Sequence, residues 1–475
     1  MSAPTQTGPE AATPVPTASG PITLFRGRWV MAPTPIADGA VAIQGNTIVA
    51  VGPWAALRDR FPTATVRGSA YDLIGPGFVN THGHFSEGLI TGIGSDLTLW
   101  EWIHDLIAPV RPYFTEERAY VSTMLSAVQM LRSGVTTAND MFVTDPADQP
   151  ITPGVVRALD EIGLRGVISY GSGDHNPNTD LLREFAEHDA LLEATRGSRL
   201  QTFRLGIGAI GAHSDEMFEA SVAYAVDGGH GVHMHVQEIR EEVTATYQRF
   251  GRTVVGQCAH AGLFEAPVLA AHCVWMDRAD RELMAEHRVG IAHNPVANGI
   301  LASGIAPIAE MHALGIDIGL GVDGAASNDS QDFLQALKTA PLLARVRDLQ
   351  ATAMSAKEAY EMATIGGARA LRMEATIGSL EVGKRADLVV FDGEGPTLAN
   401  IHDPYQALVF VAGSREIREV WVDGAASLVD FEVTQVDPRE VAAVSREHAR
   451  DLVSSAGLSH LSVLAAAAAP GPGNG

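Results

Sequence analysis

Cysteine is nearly absent from this chain of 475 residues: only Cys258 and Cys273 occur. Two thiols in so long a chain build no disulfide framework, so packing must hold the fold, and a reducing compartment such as the cytoplasm is expected. Basic residues are also scarce. Against 56 aspartates and glutamates stand 33 lysines and arginines, a formal net charge of −23. Such a surface repels polyphosphates and anionic lipid, which argues against nucleic acid or membrane as partners and leaves small molecules. No apolar run reaches the roughly 18 residues of a membrane span. The Ala/Pro/Thr-rich start has neither the basic nor the apolar region of a signal peptide. Residues 1–20 read as a disordered leader, and the closing Ala/Pro/Gly run as a disordered tail.

What the chain does have is a hydrophobic fraction of 46%, ample for an extensive core, and more length than one ordinary domain needs. Residues 21–72 suggest a small β unit, with strands at Ile22–Arg28, Gly39–Ile43 and Thr47–Val51 and a turn at Gln44-Gly45-Asn46. From 73 to 375, short apolar strands alternate with amphipathic stretches such as Thr115–Ser133, Pro153–Ile162 and Asp180–Ala194. Strand ends are expected near His84, Met141, Tyr170, His213, His235, His272, Asn294 and Asp323. Eight repeats over about 250 residues suit a closed parallel (β/α)8 barrel. An open doubly wound sheet would want a glycine-rich phosphate fingerprint at its first turn, and none stands there. More strands are expected at Leu388–Asp392, Gln406–Val411 and Glu416–Val422. Segments 21–72 and 376–435 are each too small to bury a core, so the two chain ends should pair into one small β-sandwich. The whole is an α/β fold. A helix over Pro438–Val453 belongs with the tail in a final segment, 436–475.

The chemistry-bearing residues gather at those strand ends. In PGFVNTHGH, His82 and His84 are two apart, the spacing that puts two side chains on one face of a strand. HMHVQE repeats the pattern with His233 and His235, and Glu238 follows just past the strand. His272 closes the sixth strand and Asp323 the eighth. Barrel enzymes build their sites at the C-terminal ends of the strands, so these side chains should meet. Three imidazoles and a carboxylate fit a divalent metal such as zinc that keeps one position for water, whose pKa it lowers to about 7. His233 lies a layer deeper than His235 and is expected to be a packed, hydrogen-bonded histidine.

The stretches PGFVNTHGH, LRSGVTTANDM, HMHVQE, AHCVWMD, HNPVANGILASGIAPI, GVDGAASND and GSLEVGKRADLVVFD resemble the amidohydrolase superfamily, in its triazine-hydrolase and nucleoside-deaminase branch. The resemblance runs from about residue 20 to 425. It implies a distorted (β/α)8 barrel with a β-sandwich made by both ends, and a homo-oligomer. It carries the metal to His82, His84, His235 and Asp323, and proton handling to Glu238 and His272, with Asp323 sharing the activation of water. His213 matches a histidine that contacts substrate. No lysine stands in RLGIGAIGAH, where binuclear relatives carry a carboxylated one. One ion per subunit is therefore implied, zinc first and iron second. The implied reaction is hydrolysis of a C–N bond: amine removal from a triazine- or nucleobase-like ring, with cleavage of a phenylurea-type amide or urea, or chloride removal from a triazine, as the alternatives and a non-catalytic scaffold as a remote one.

Two departures bear on substrate. Where the nucleoside-deaminase relatives carry an arginine and a lysine, this chain has Tyr170 and Ile300. If both line the pocket, a neutral ring is favoured over a carboxylated substrate, whose charge would be desolvated without a partner. Arg165 and Arg183 are the cations to watch as replacements. Trp100 is expected in a loop covering the substrate, and Asn294 either lines the pocket or merely ends its strand. His104, His188, His287 and His448 read as surface residues.

Overall fold

The computed structural model describes residues 20–94, 96–174 and 179–461; residues 1–19 of the leader and the tail beyond 461 lie outside them. Parallel strands at Phe78–Asn80, Val135–Phe142, Arg165–Tyr170, Gln201–Phe203, Leu205–Ile207, Val232–Val236, Val268–His272, Gly290–His293 and Ile318–Leu320 form the barrel. Leu320 pairs with Asn80, closing the eighth position onto the first. The fourth position departs from expectation, since no single strand runs to His213. It breaks at Arg204: Gln201–Phe203 pairs with the third strand and Leu205–Ile207 with the fifth. An Ile207–Ser172 bridge joins the two sides. Arg204 itself turns to the carbonyls of Val232 and Leu371.

The connecting helices begin where side chains can satisfy the free N–H groups of a first turn. Thr115 accepts from Arg118 N, Asp180 from Arg183 N and Ser214 from Met217 N. Inside the barrel, Val79, Val167, Leu269, Ala271 and Ala292 share one buried apolar cluster. That plug fills the lower interior of the barrel, and the histidines stand above it, at the strand ends.

The second sheet runs in the order Glu432–Val433, Ala425–Val429, Ile417–Val422, Leu388–Phe391, Leu73–Pro76, Ile22–Val30, Ile36–Gln44, Thr47–Pro53. It interleaves both chain ends and folds over a core of Phe25, Val41, Ile48, Ile74, Leu388 and Val390. Leu73–Pro76 belongs to this sheet and not to the barrel, which starts at Phe78. Gln406–Val411 is helical instead of a strand. Asp403 caps it by accepting from Tyr405 N and Gln406 N, and Pro404 sits in the first turn. A short apolar run is consistent with either state, and the cap decided it.

Arg165 ties the two units together at the floor. Its guanidinium bonds Asp387 at 3.1 Å and reaches Asp423 at 3.7 Å, both carboxylates being buried. Removing one member of a buried ion pair strands the other. Asp387→Ala is therefore expected to destabilise the protein by about 3 kcal/mol, read as a lower denaturation midpoint with turnover at 25 °C unchanged. No described helix is long and apolar enough to cross a membrane.

Candidate functional site

The strand ends bring His82, His84, His235, His272, Glu238 and Asp323 together in a cluster that is buried except at half-buried His235. The rings of His82 and His84 lie 4.7 Å apart, those of His82 and His235 5.0 Å, and those of His82 and His272 5.2 Å. His84 lies on a two-residue strand, Gly83–His84, which pairs with Asp323–Gly324 and so seats the first and eighth strand ends side by side. One ligand atom each of His82, His84 and His235 falls within 4.8 Å of the others, as does one each of His82, His272 and Asp323.

Hydrogen bonds show what these atoms are for. His84 Nδ1–H donates to Met141 O at 2.7 Å, and His235 Nδ1–H donates to Gly208 O. Both Nε2 atoms then carry lone pairs, yet they face each other at 3.1 Å. Two acceptors that close repel unless a cation lies between or beside them. His82 Nε2 is buried without a hydrogen-bond partner, 3.4 Å from Asp323 Oδ1. Neutral nitrogen donors aimed at a common centre with one carboxylate fit a divalent metal.

The electrostatics agree. Burial pushes the His82 imidazole down to about 4 and lowers His84 and His235 as well, so all three are neutral near pH 7. Asp323 is opposed by its burial, but His82, His272 and His84 hold its carboxyl well below the usual range. His272 runs the other way. Burial works against its charge, and Glu238 and Asp323 outweigh it and hold the imidazole above the ordinary histidine value. Its Nε2 stands 3.4 Å from Glu238 Oε2 and 3.8 Å from Asp323 Oδ2, while Nδ1–H donates to Asn298 Oδ1 at 2.8 Å. Burial raises the Glu238 carboxyl, and Ser303 Oγ–H donates to its Oε1 at 2.9 Å.

Backbone strain aims several of these groups. Gln237, His272, Cys273 and Asp323 have φ of +50, +71, +52 and +66°, a region that non-glycine residues rarely occupy and that clusters at functional sites. On the sixth strand Leu269 and Ala271 share the interior cluster. Strict alternation would turn His272 outward, and the left-handed backbone at 272 and 273 swings it in.

Other expected residues fall elsewhere. Ser169 faces His233 inside the barrel, so Tyr170 points out: its ring packs on His188 and its hydroxyl donates to Thr144 O. Tyr170 is thus set apart from the histidine cluster, because it sits one step out of phase with the interior. His188, expected at the surface, is fully buried under it. Arg165 is at the floor, and Arg183 is solvent-exposed against Asp148, so neither replaces a cation at the mouth. His213 is buried beyond a short 3-10 turn, with Nε2 at 3.0 Å from Ser172 O. Asn294 is buried with Nδ2 at 3.3 Å from His272 Nδ1. Ile300 ends the helix Pro295–Ile300, 46% exposed. Trp100 is 44% exposed and stacked on His104. Trp102, not Trp100, reaches the strand-eight loop, donating from Nε1 to Ala326 O at 3.2 Å.

Several neighbours escaped the sequence reading. Glu87 accepts from Ala326 N, Ser327 N and Ser327 Oγ, lacing the loop after His84 to the loop after Asp323. A Cβ at Gly324 would stand 1.8 Å from Glu87 Oε2, so any larger residue there would push the Glu87 carboxylate out of place. Glu242, its carboxyl pushed up to about 7 by burial, accepts from Glu238 N at 3.1 Å. Asn298 and Ser303 stand in the HNPVANGILASGIAPI stretch already singled out, and Glu242 is four residues past Glu238. Nothing in the sequence marked Glu87.

The amidohydrolase family matches residues 73–426. The 5-methylthioadenosine/S-adenosylhomocysteine deaminase of Pelotomaculum thermopropionicum is 36% identical, covering 88% of this chain and 94% of the relative. The 5'-deoxyadenosine deaminase of Methanosarcina mazei is 32% identical over the same shares. An adenosine deaminase structure from Xanthomonas campestris with bound zinc superposes with TM-score 0.84 at 28% identity, covering 91% of this chain and 98% of the other. An atrazine chlorohydrolase of Arthrobacter aurescens complexed with zinc shares the fold, with TM-score 0.83 at 24% identity over 90% of this chain and 100% of the other.

Proposed function

The chain belongs to the amidohydrolase family, and on that premise we propose that it hydrolyses an exocyclic C–N bond of a small neutral ring, releasing an amine. It is a metal-dependent hydrolase of carbon–nitrogen bonds. The proposed ligands are His82, His84, His235 and Asp323, holding a single zinc ion, with iron as the alternative occupant. A divalent ion held there supplies Lewis acidity and lowers the pKa of water at the site to about 7.

The observation that carries the reading is His272 Nε2 facing both Glu238 and Asp323 beside the converging lone pairs. His272 and Asp323 orient a water against the ring carbon. Its proton passes to Glu238, the water oxygen bonds to carbon, and Glu238 gives the proton to the departing nitrogen. Ring C–N cleavage leaves a carbonyl on the ring and a free amine, so atoms balance with water alone. Asn294 and His213 are proposed to line the substrate side. Ile300, where the resemblance puts a lysine, is proposed to face the substrate, and with Arg165 and Arg183 committed elsewhere this favours a neutral ring; Tyr170 faces away from the site.

The test is a panel of 5'-deoxyadenosine, an aminotriazine, a chlorotriazine and a neutral aryl urea, read by mass spectrometry. Release of ammonia or an alkylamine from a ring is expected. Release of an aniline from the urea, with the rings untouched, would replace this reading by a urea hydrolase, and chloride release by a dehalogenating one.

A further inference from the structure

His233 touches the centre without contributing to either convergent group of metal-binding atoms, and the hydrogen bonds around it have one consistent orientation. Ser169 Oγ–H donates to Asp140 O at 2.7 Å. A hydroxyl has one proton, so toward His233 Nδ1, at 3.1 Å, Ser169 can only accept. Asn139 Nδ2 lies 3.0 Å from Nδ1 and 3.2 Å from Nε2. Near-equal distance from both nitrogens puts it over the ring face, since a donor along one lone pair is turned away from the other nitrogen. Its Nδ2 also donates to Thr81 O at 2.9 Å. His233 therefore carries its proton on Nδ1, and Nε2 accepts from His82 Nδ1–H at 2.8 Å.

Resting on the metal reading above, we propose that the Ser169–His233 pair is a tautomer lock that keeps His82 Nε2 deprotonated and aimed at the metal. His84 and His235 have backbone carbonyls, Met141 O and Gly208 O, to fix their tautomers. His82 has no such carbonyl and uses a side chain that must itself be oriented. All three residues of the chain from Ser169 to His82 are fully buried, so no water corrects a wrong tautomer. Without the acceptor, a buried Nδ1–H on His82 would go unsatisfied, which favours the opposite tautomer and blocks the ligand atom. His233 is a positioning residue acting through His82.

The experiment measures zinc affinity of the full chain by competition with a chromophoric chelator, together with the melting temperature of each metal-free protein. His233→Leu fills the space without an acceptor and is expected to weaken zinc binding by about 10–100-fold. His233→Gln offers a carbonyl oxygen near the Nε2 position and an amide donor for Ser169, and should bind zinc nearly as tightly as the native protein. Ser169→Ala, the gentlest change, should lie between them. Native affinity in His233→Leu or in Ser169→Ala overturns the lock. Equal loss in the Leu and Gln variants overturns it too, since packing alone would then account for the effect. If His233→Leu does not fold, the Gln and Ser169→Ala variants still decide. Absence of zinc binding by the native chain would instead remove the metal reading on which the proposal stands.

Discussion

Glu238→Gln is expected to keep its metal and lose about 10²- to 10⁴-fold in kcat. Glu238 lies outside both convergent groups of ligand atoms, so the ion should remain. Glutamine can still accept the Ser303 hydrogen bond through its carbonyl oxygen, which preserves the local packing. It has no carboxyl to take a proton from water and return it to the leaving nitrogen. Burial raises the native carboxyl, bringing it toward the neutral range in which a group both gains and gives up a proton. The measurement is kcat and KM on whichever panel compound the native protein turns over, with elemental analysis of both proteins. A drop in kcat with unchanged KM and metal content is expected. Turnover near the native level would remove Glu238 from proton handling.

His235→Ala is expected to abolish both metal binding and turnover, the latter by about 10³-fold or more, since a Lewis acid contributes several kcal/mol to such a transition state. In the native protein a chelator should do the same and added zinc should reverse it. In the variant, zinc should restore nothing. Heat provides an independent reading: an ion that binds only the folded protein raises the melting temperature, so zinc should raise it for the native chain and leave His235→Ala unmoved. Acid should strip the metal as its histidines protonate. Because burial lowers His82, His84 and His235, that release should occur below the ordinary histidine range. Activity indifferent to chelation, in a protein with no bound metal, would end the metal reading.

Read alone, the sequence determined the barrel, its approximate strand ends and the residues that crowd there. Strand alternation has a period of two, and His82/His84 and His233/His235 obey it closely enough to declare a common side. The eight-fold repeat followed from apolar runs separated by amphipathic stretches, which are local signals, though the fourth position is split in two. The −23 charge and two cysteines set expectations about partners and compartment without reference to any fold.

Only the tertiary structure decided which way residues point once the regular strand has ended. His272 turns inward through a left-handed backbone that alternation does not describe, and Tyr170, one residue past inward-facing Ser169, turns out to meet buried His188. Gln406–Val411 became a helix because Asp403 caps it, and Leu73–Pro76 joined the small sheet because its partners lie at Trp29–Val30 and Leu388–Phe391. Glu87 gained its role from N–H groups some 240 positions away. Periodicity governs side-chain direction only where backbone dihedrals repeat. At strand ends, caps and buried hydrogen bonds, direction is set by partners distant in the chain, and the folded structure alone brings those together.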